Sequence, residues 1–203
     1  NNRVEAAYNY NQTSGGGIEL KTGWEINDTQ NGLWVGQVDE HASVRIIERH
    51  EKGPGALSQQ AFDGLENPNG TVGEIVVSGA HVLKNYINNP AAVKENKIVV
   101  GDKVWHRTGD LGSLAADNTL HLFGRVKELI VQEGRELYPF IIQAEINCWK
   151  SVAQSAMLIE QEELYICIEG VFNEMEKTEI VERLLDLLKT DFRLFWTEIP
   201  MDS

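Results

Sequence analysis

The chain is poor in cysteine, in basic charge and in long apolar runs. Its two cysteines, Cys148 and Cys167, form no metal-ligand spacing and lie in apolar-patterned segments. They read as buried free thiols of a reducing cytoplasm. No apolar run is long enough to suggest a transmembrane helix, and the start carries no signal-like pattern. Lys and Arg number 18 against 31 Asp and Glu, a formal net charge of −13. That balance argues against a nucleic-acid or anionic-membrane surface. It also means that bound phosphates need local cations, metal or backbone amides. The histidines are His41, His50, His81, His106 and His121, and none pairs with Cys or an acid at metal-ligand spacing. No Ser-His-Asp order and no glycosidase-like carboxylate pair stands out. Gly15-Gly16-Gly17 has no lysine in the order that a phosphate-cradling loop requires.

What is present is ordinary globular material. With 42% hydrophobic and 24% charged residues over 203 positions, one or two domains with a real core are expected. Asn1 to Gly17 reads as a polar loop, and from Ile18 to Val104 the pattern is mostly strands. Leu33-Trp34-Val35, Val44-Arg45-Ile46-Ile47 and Gly73-Glu74-Ile75-Val76-Val77 are short β-rich runs separated by Gly, Asn, Asp and Pro clusters. Such spacing suggests a small barrel or sandwich. Further on, Pro139 opens a helix with Ile141, Ala144 and Cys148 on one face. Ser151 to Ile159 turns into a strand, and Leu164 to Ile168 is another. Glu176 to Thr190 is an amphipathic helix with Ile180, Leu184, Leu187 and Leu188 together, and Phe192 to Ile199 is a final strand. Trp34, Trp105 and Trp149 read as core aromatics. The acid run from Glu174 to Glu182 reads as the wet face of a helix.

The chain is organised around Val104-Trp105-His106-Arg107-Thr108-Gly109-Asp110-Leu111-Gly112 and its continuation from Leu120 to Ile130. These are two short strands around a turn at Asp117-Asn118, with charges where buried strands do not carry them. Gly109 lets the backbone come close to a ligand beside the Asp110 carboxylate. An ionised Asp accepts two hydroxyl donors, which suits the two hydroxyls of a ribose. Arg125 follows Gly124 and offers a planar fork of donors. One hairpin separates Asp110 from Arg125, so both can face one ligand. Alternatively, Arg125 is a surface ion pair with Glu128, and Lys127 is a solvated strand residue. His106 reads as a packing or hydrogen-bonding residue.

His106-Arg107-Thr108-Gly109-Asp110-Leu111 followed by Gly124-Arg125-Val126-Lys127-Glu128-Leu129-Ile130 resembles the adenylate-forming superfamily. That group comprises acyl- and aryl-CoA synthetases, nonribosomal peptide synthetase adenylation domains and luciferase. The likeness covers nearly the whole chain, which corresponds to the later, C-terminal portion of such an enzyme. It implies an α+β fold, with a β-rich, barrel-like subdomain over 1–124 ending the large adenylation domain. A small α+β lid over 125–203 would follow, mobile and truncated. Asp110 and Arg125 would hold the ribose, Tyr10 would flank adenine, Thr13 would contact phosphate, and Lys127 would be the hinge of the lid.

Tyr10-Asn11-Gln12-Thr13-Ser14 departs from the superfamily at Ser14, which replaces a magnesium-binding Glu. A hydroxyl is a poor ligand for that hard cation, so either Glu19 compensates or metal-ATP binding is weakened. Gln132-Glu133-Gly134-Arg135 resembles the loop that shapes the thiol tunnel. Gly134 matches there, while Glu133 replaces a glycine. Neither the superfamily's phosphate loop nor its catalytic lysine lies within these residues; the lysine is expected beyond Ser203. The resemblance thus implies a piece of an AMP-forming carboxylic acid ligase, inactive alone, using ATP and Mg2+. A carboxylic acid would be the substrate, and CoA or a carrier-protein thiol the acceptor. The alternative is a non-catalytic nucleotide- or partner-binding relative that has lost adenylation.

Overall fold

A computed structural model of the chain describes the backbone of Ala6–Tyr8 and residues 32–197. Tyr10, Thr13, Ser14 and Glu19 lie outside the described residues. The chain divides into two compact units, one containing residues 32–127 and the other 128–197 together with strand β1 (Ala6–Tyr8). Both are α+β, and the first carries a curled half-barrel sheet.

The first unit is built on seven strands. They are β2 (Leu33–Gln37), β3 (Ala42–Ile47), β4 (Ala56–Leu57), β5 (Gly73–Gly79), β6 (Lys97–Val100), β7 (Lys103–Leu114) and β8 (Thr119–Arg125). The main path runs β2-β8-β7-β5-β3, with β6 on β7 and β4 on β6. Two short helices that hydrophobic periodicity does not announce interrupt the strands. Helix α1 (Gln59–Asp63) is capped by the Ser58 hydroxyl, which accepts from the Ala61 amide at 3.2 Å. It serves to place Phe62 in the core with Ile47, Val76, Ile98, Val100 and Trp105. Helix α2 (Pro90–Asn96) starts at Pro90 behind an Asn89 cap and leads directly into β6.

Trp105 is buried, its ring centroid 5.0 Å from that of Phe62. Trp34, expected in the core, is 67% exposed. It sits on β2, which pairs with β8 and ends the sheet path. The predicted turn at Asp117-Asn118 joins β7 to β8. Asn118 takes a positive φ of 64°, and the Asp117 carboxylate accepts from the Thr119 amide at 3.0 Å.

The second unit orders its strands β1-β13-β12-β11, with β11 (Val152–Glu160), β12 (Glu163–Gly170) and β13 (Phe192–Trp196). A hairpin of β9 (Ile130–Gln132) and β10 (Arg135–Leu137) stands apart from that sheet. Strand β12 runs parallel to β13, and the crossover between them is α4 (Glu174–Leu188). Asn173 and Glu176 close a reciprocal capping box at its start, two residues earlier than the periodicity placed it. Ile180, Leu184, Leu185 and Leu188 are its buried residues, and Leu187 is only half-buried.

Helix α3 (Pro139–Asn147) opens at Pro139 and buries Ile141 as expected, but the rest of its face is rotated. Ile142, Ile146 and the following Trp149, spaced at i, i+4 and i+7, turn into the core. Ala144 and Cys148 are exposed, so Cys148 is not the buried thiol that its sequence context suggested, and Cys167 is half-buried. The large isoleucines and the tryptophan set the phase, because they bury more apolar area than Ala and Cys.

Candidate functional site

The β7–β8 hairpin brings Asp110 and Arg125 directly opposite each other in register. Arg125 Nη1 lies 2.9 Å from Asp110 Oδ1 and donates a longer bond, 3.4 Å, to the Thr108 carbonyl. The Asp110 side chain is 30% exposed and that of Arg125 59%. The two groups expected to face one ligand therefore do lie together and are open to solvent. The ion pair that Arg125 makes is with Asp110.

Strand β7 is irregular at this point. Against β5, Arg107 pairs with Val76 and Leu111 with Glu74. Thr108, Gly109 and Asp110 thus stand opposite Ile75 alone. Extra residues in one strand must bulge out of the ladder and re-aim their side chains. Gly109 takes φ 74°, a left-handed conformation that favours glycine, and open space surrounds its missing Cβ. Thr108 secures the bulge. Its hydroxyl donates to the Ile75 carbonyl at 3.0 Å and accepts from the Asp110 amide at 3.0 Å. On the other side, β8 has Phe123 in excess between the pairs Leu111–Gly124 and Gly112–Leu122, and Gly124 has φ 114°.

Arg107, next to the bulge, is buried and faces the Glu74 carboxylate, also buried. Its Nε lies 3.0 and 3.1 Å from the two carboxylate oxygens, and Nη2 is 2.7 Å from one of them. Nη1 donates to the Glu95 carbonyl and Nη2 to that of His50. Sequence reasoning gave Glu74 only a structural part. The signal it missed is a carboxylate inside an otherwise apolar strand run. His106 binds the Asn96 carbonyl through Nδ1 at 3.2 Å, a hydrogen-bonding role.

Strand β8 stops at Arg125, and Lys127 lies exposed in a 3₁₀ turn, Val126–Glu128, where a continuing strand was one expectation. The unit boundary falls between Lys127 and Glu128. Gly134 occupies the β9–β10 turn with φ 76°, and Glu133 precedes it at φ 51°. Both residues of a two-residue hairpin loop with positive φ make a type I′ geometry, for which Glu is a poor choice. Among the described residues, no three His, Cys, Asp or Glu side chains gather as a metal-holding group. No described helix is long and apolar enough to cross a membrane.

No family model matches the chain. It is 42% identical over 91 residues to the long-chain-fatty-acid–AMP ligase FadD26 of Mycobacterium tuberculosis, covering 41% of this chain and 15% of that protein. It is 33% identical over 124 residues to the acyl-CoA synthetase FUM10 of Gibberella moniliformis, covering 57% of this chain and 22% of that one. The chain thus spans under a quarter of the length of these curated relatives. Among solved structures, ATP-bound MatB from Rhodopseudomonas palustris shares the fold, with TM-score 0.65, 23% identity, and coverage of 84% of this chain and 33% of that one. In sequence and in fold, the chain resembles the C-terminal portion of the adenylate-forming superfamily.

Proposed function

We propose that the chain works as the C-terminal portion of an AMP-forming carboxylic acid ligase. The observation that carries this reading is the bulged hairpin, which sets the half-buried Asp110 carboxylate beside the exposed Arg125 guanidinium. Such a ligase joins an acid to ATP, giving acyl-AMP and pyrophosphate, and then passes the acyl group to the thiol of CoA or of a carrier protein. Adenylation makes AMP the leaving group of an otherwise inert carboxylate. The protein's share is positioning and charge stabilisation. In this reading Asp110 accepts hydrogen bonds from the ribose hydroxyls. Arg125, held by the same carboxylate, adds a cation near the nucleotide in a chain of net charge −13.

Tyr10 and Thr13 belong to the same site as neighbours of adenine and phosphate. Residues 1–124 end the large domain, apart from Ala6–Tyr8, which pairs with β13 in the second unit, and 125–203 form a lid that turns about Lys127. A 3₁₀ turn at that point suits a hinge, because it is a short, weakly bonded segment that can absorb a backbone rotation. Gly134, in its left-handed turn, lies in the loop assigned to the thiol passage. ATP and Mg2+ are the implied ligands of the whole protein, and the cytoplasm its implied compartment. The 203 residues alone are expected to be inactive.

ATP–pyrophosphate exchange by the intact protein, with aromatic, short-, medium- and long-chain acids, tests the reading. Acid-dependent exchange is expected, and Asp110→Ala should lower it roughly tenfold or more. Unchanged kinetics in that variant would remove Asp110 from the ribose. A second reading, a relative that binds nucleotide or a partner and has lost adenylation, is favoured by Ser14 and by Glu133 in its strained turn. It predicts AMP binding with no exchange for any acid.

A further inference from the structure

We propose that Glu74 is a positioning residue, a staple across the β7 bulge that fixes where Asp110 stands. The Glu74 backbone is in register with Leu111, at the far end of the bulge. Its side chain reaches back to Arg107, at the near end, and binds it through both carboxylate oxygens. One residue therefore grips both ends of the segment Thr108-Gly109-Asp110. With the two ends fixed against β5, the residues between them cannot flatten into the ladder and must stay out of it.

The cost of this arrangement points the same way. A carboxylate and a guanidinium with side chains 2% and 8% exposed have both given up water. Buried pairs of this kind are often no more stable than apolar residues of similar volume. Folding of the sheet alone therefore supplies no reason for charge at these two places. Arg107 also satisfies the carbonyls of His50 and Glu95, so the loop after β3 and the end of α2 are tied to the same point. The bulge is thus referenced to three segments and not to one strand. Glu74 touches no ligand in this scheme. It acts through Arg107 and the backbone on the carboxylate 2.9 Å from Arg125.

The ribose role of Asp110 is the reading proposed above, and the AMP part of the test rests on it. The intact protein is compared as wild type, Glu74→Gln, the apolar pair Glu74→Leu with Arg107→Met, and Asp110→Ala. Melting temperature, AMP affinity and amide hydrogen exchange are read for each. The apolar pair is expected to recover most of the melting temperature lost in Glu74→Gln. Its AMP affinity should nevertheless stay about tenfold or more below wild type, because misplacement is not repaired by burial. Exchange at Thr108 to Asp110 should be about tenfold faster in both Glu74 variants, with the rest of β7 less affected.

If the apolar pair restores stability, wild-type exchange at Thr108 to Asp110 and wild-type AMP affinity together, the charges only hold the sheet and the staple is overturned. If Asp110→Ala binds AMP as wild type does, the ribose reading fails. Exchange then decides the staple by itself: faster exchange at the bulge supports it, and unchanged exchange refutes it.

Discussion

The two units bury different kinds of residue. Within residues 32–127, buried Ile, Val, Phe and Trp share the interior with Glu74, Lys97 and Arg107. Within 128–197, the buried polar residues among those described are Ser155 and Thr190, and the core is an uninterrupted apolar cluster from Ile130 to Leu194. The second unit follows ordinary economy: an amphipathic helix and a sheet bury one apolar face each. The first departs from it around β7, where Arg107 joins Glu74 and burial pushes the Lys97 ammonium below its usual range. Charge is costly to bury, and here it gathers beside a strand that must bend to present a carboxylate. Buried charge thus collects around the strand that bulges, while the regular unit, among its described residues, buries only small polar side chains beside its apolar core.

That contrast can be broken in order of expected effect. Arg107→Met leaves the Glu74 carboxylate buried and unpaired, and should destabilise the first unit by about 3–5 kcal/mol. Chemical denaturation followed by a probe within residues 32–127 measures it. In the other unit, Leu184→Ala empties a fully buried site and should cost about 2–5 kcal/mol. Its second-site behaviour should differ: a buried apolar residue of similar volume restores Leu184, whereas Arg107 also needs Glu74 changed. Glu133→Asn suits the positive φ of the β9–β10 turn better and should stabilise its unit by roughly 0.5–1 kcal/mol, seen as a raised melting temperature.

The smallest effect is one of pH. Arg193, and then the Tyr165 hydroxyl, hold the Glu163 carboxyl down at about 2. Its folded pKa lies below the unfolded value of 4.5, so its contribution is complete above 4.5 and is lost as pH falls toward 2. The pair is on the surface, and the loss should be small. Acid melts of Glu163→Gln should show a shallower slope across that window than wild type.

Much of this was legible in the sequence, and the parts that were not have physical reasons. The β7–β8 hairpin was readable because Gly109, Gly124 and the Asp117-Asn118 turn punctuate it, and because charges stand out in apolar strands. Its neighbour across the other edge was not. Glu74 and Arg107 are 33 positions apart, and only strand register brings them together. The bulge is likewise a property of pairing, since nothing local says that three residues of β7 face one of β5. Helices α1 and α2 escaped because five and seven residues carry too little periodicity to see. Trp34 was misplaced because apolar character does not reveal which strand ends a sheet. The face of α3 was misjudged by one position, about 100° around the helix axis, so that Ile142, Ile146 and Trp149 face the core in place of Ala144 and Cys148.

The most direct test of the account is a crystal structure of the intact protein with AMP. Both ribose hydroxyls are expected within hydrogen-bonding distance of the Asp110 carboxylate, with Arg125 alongside and the bulge at Thr108-Gly109-Asp110 retained. AMP bound with its ribose held by other residues, and Asp110 still paired only to Arg125, would contradict it.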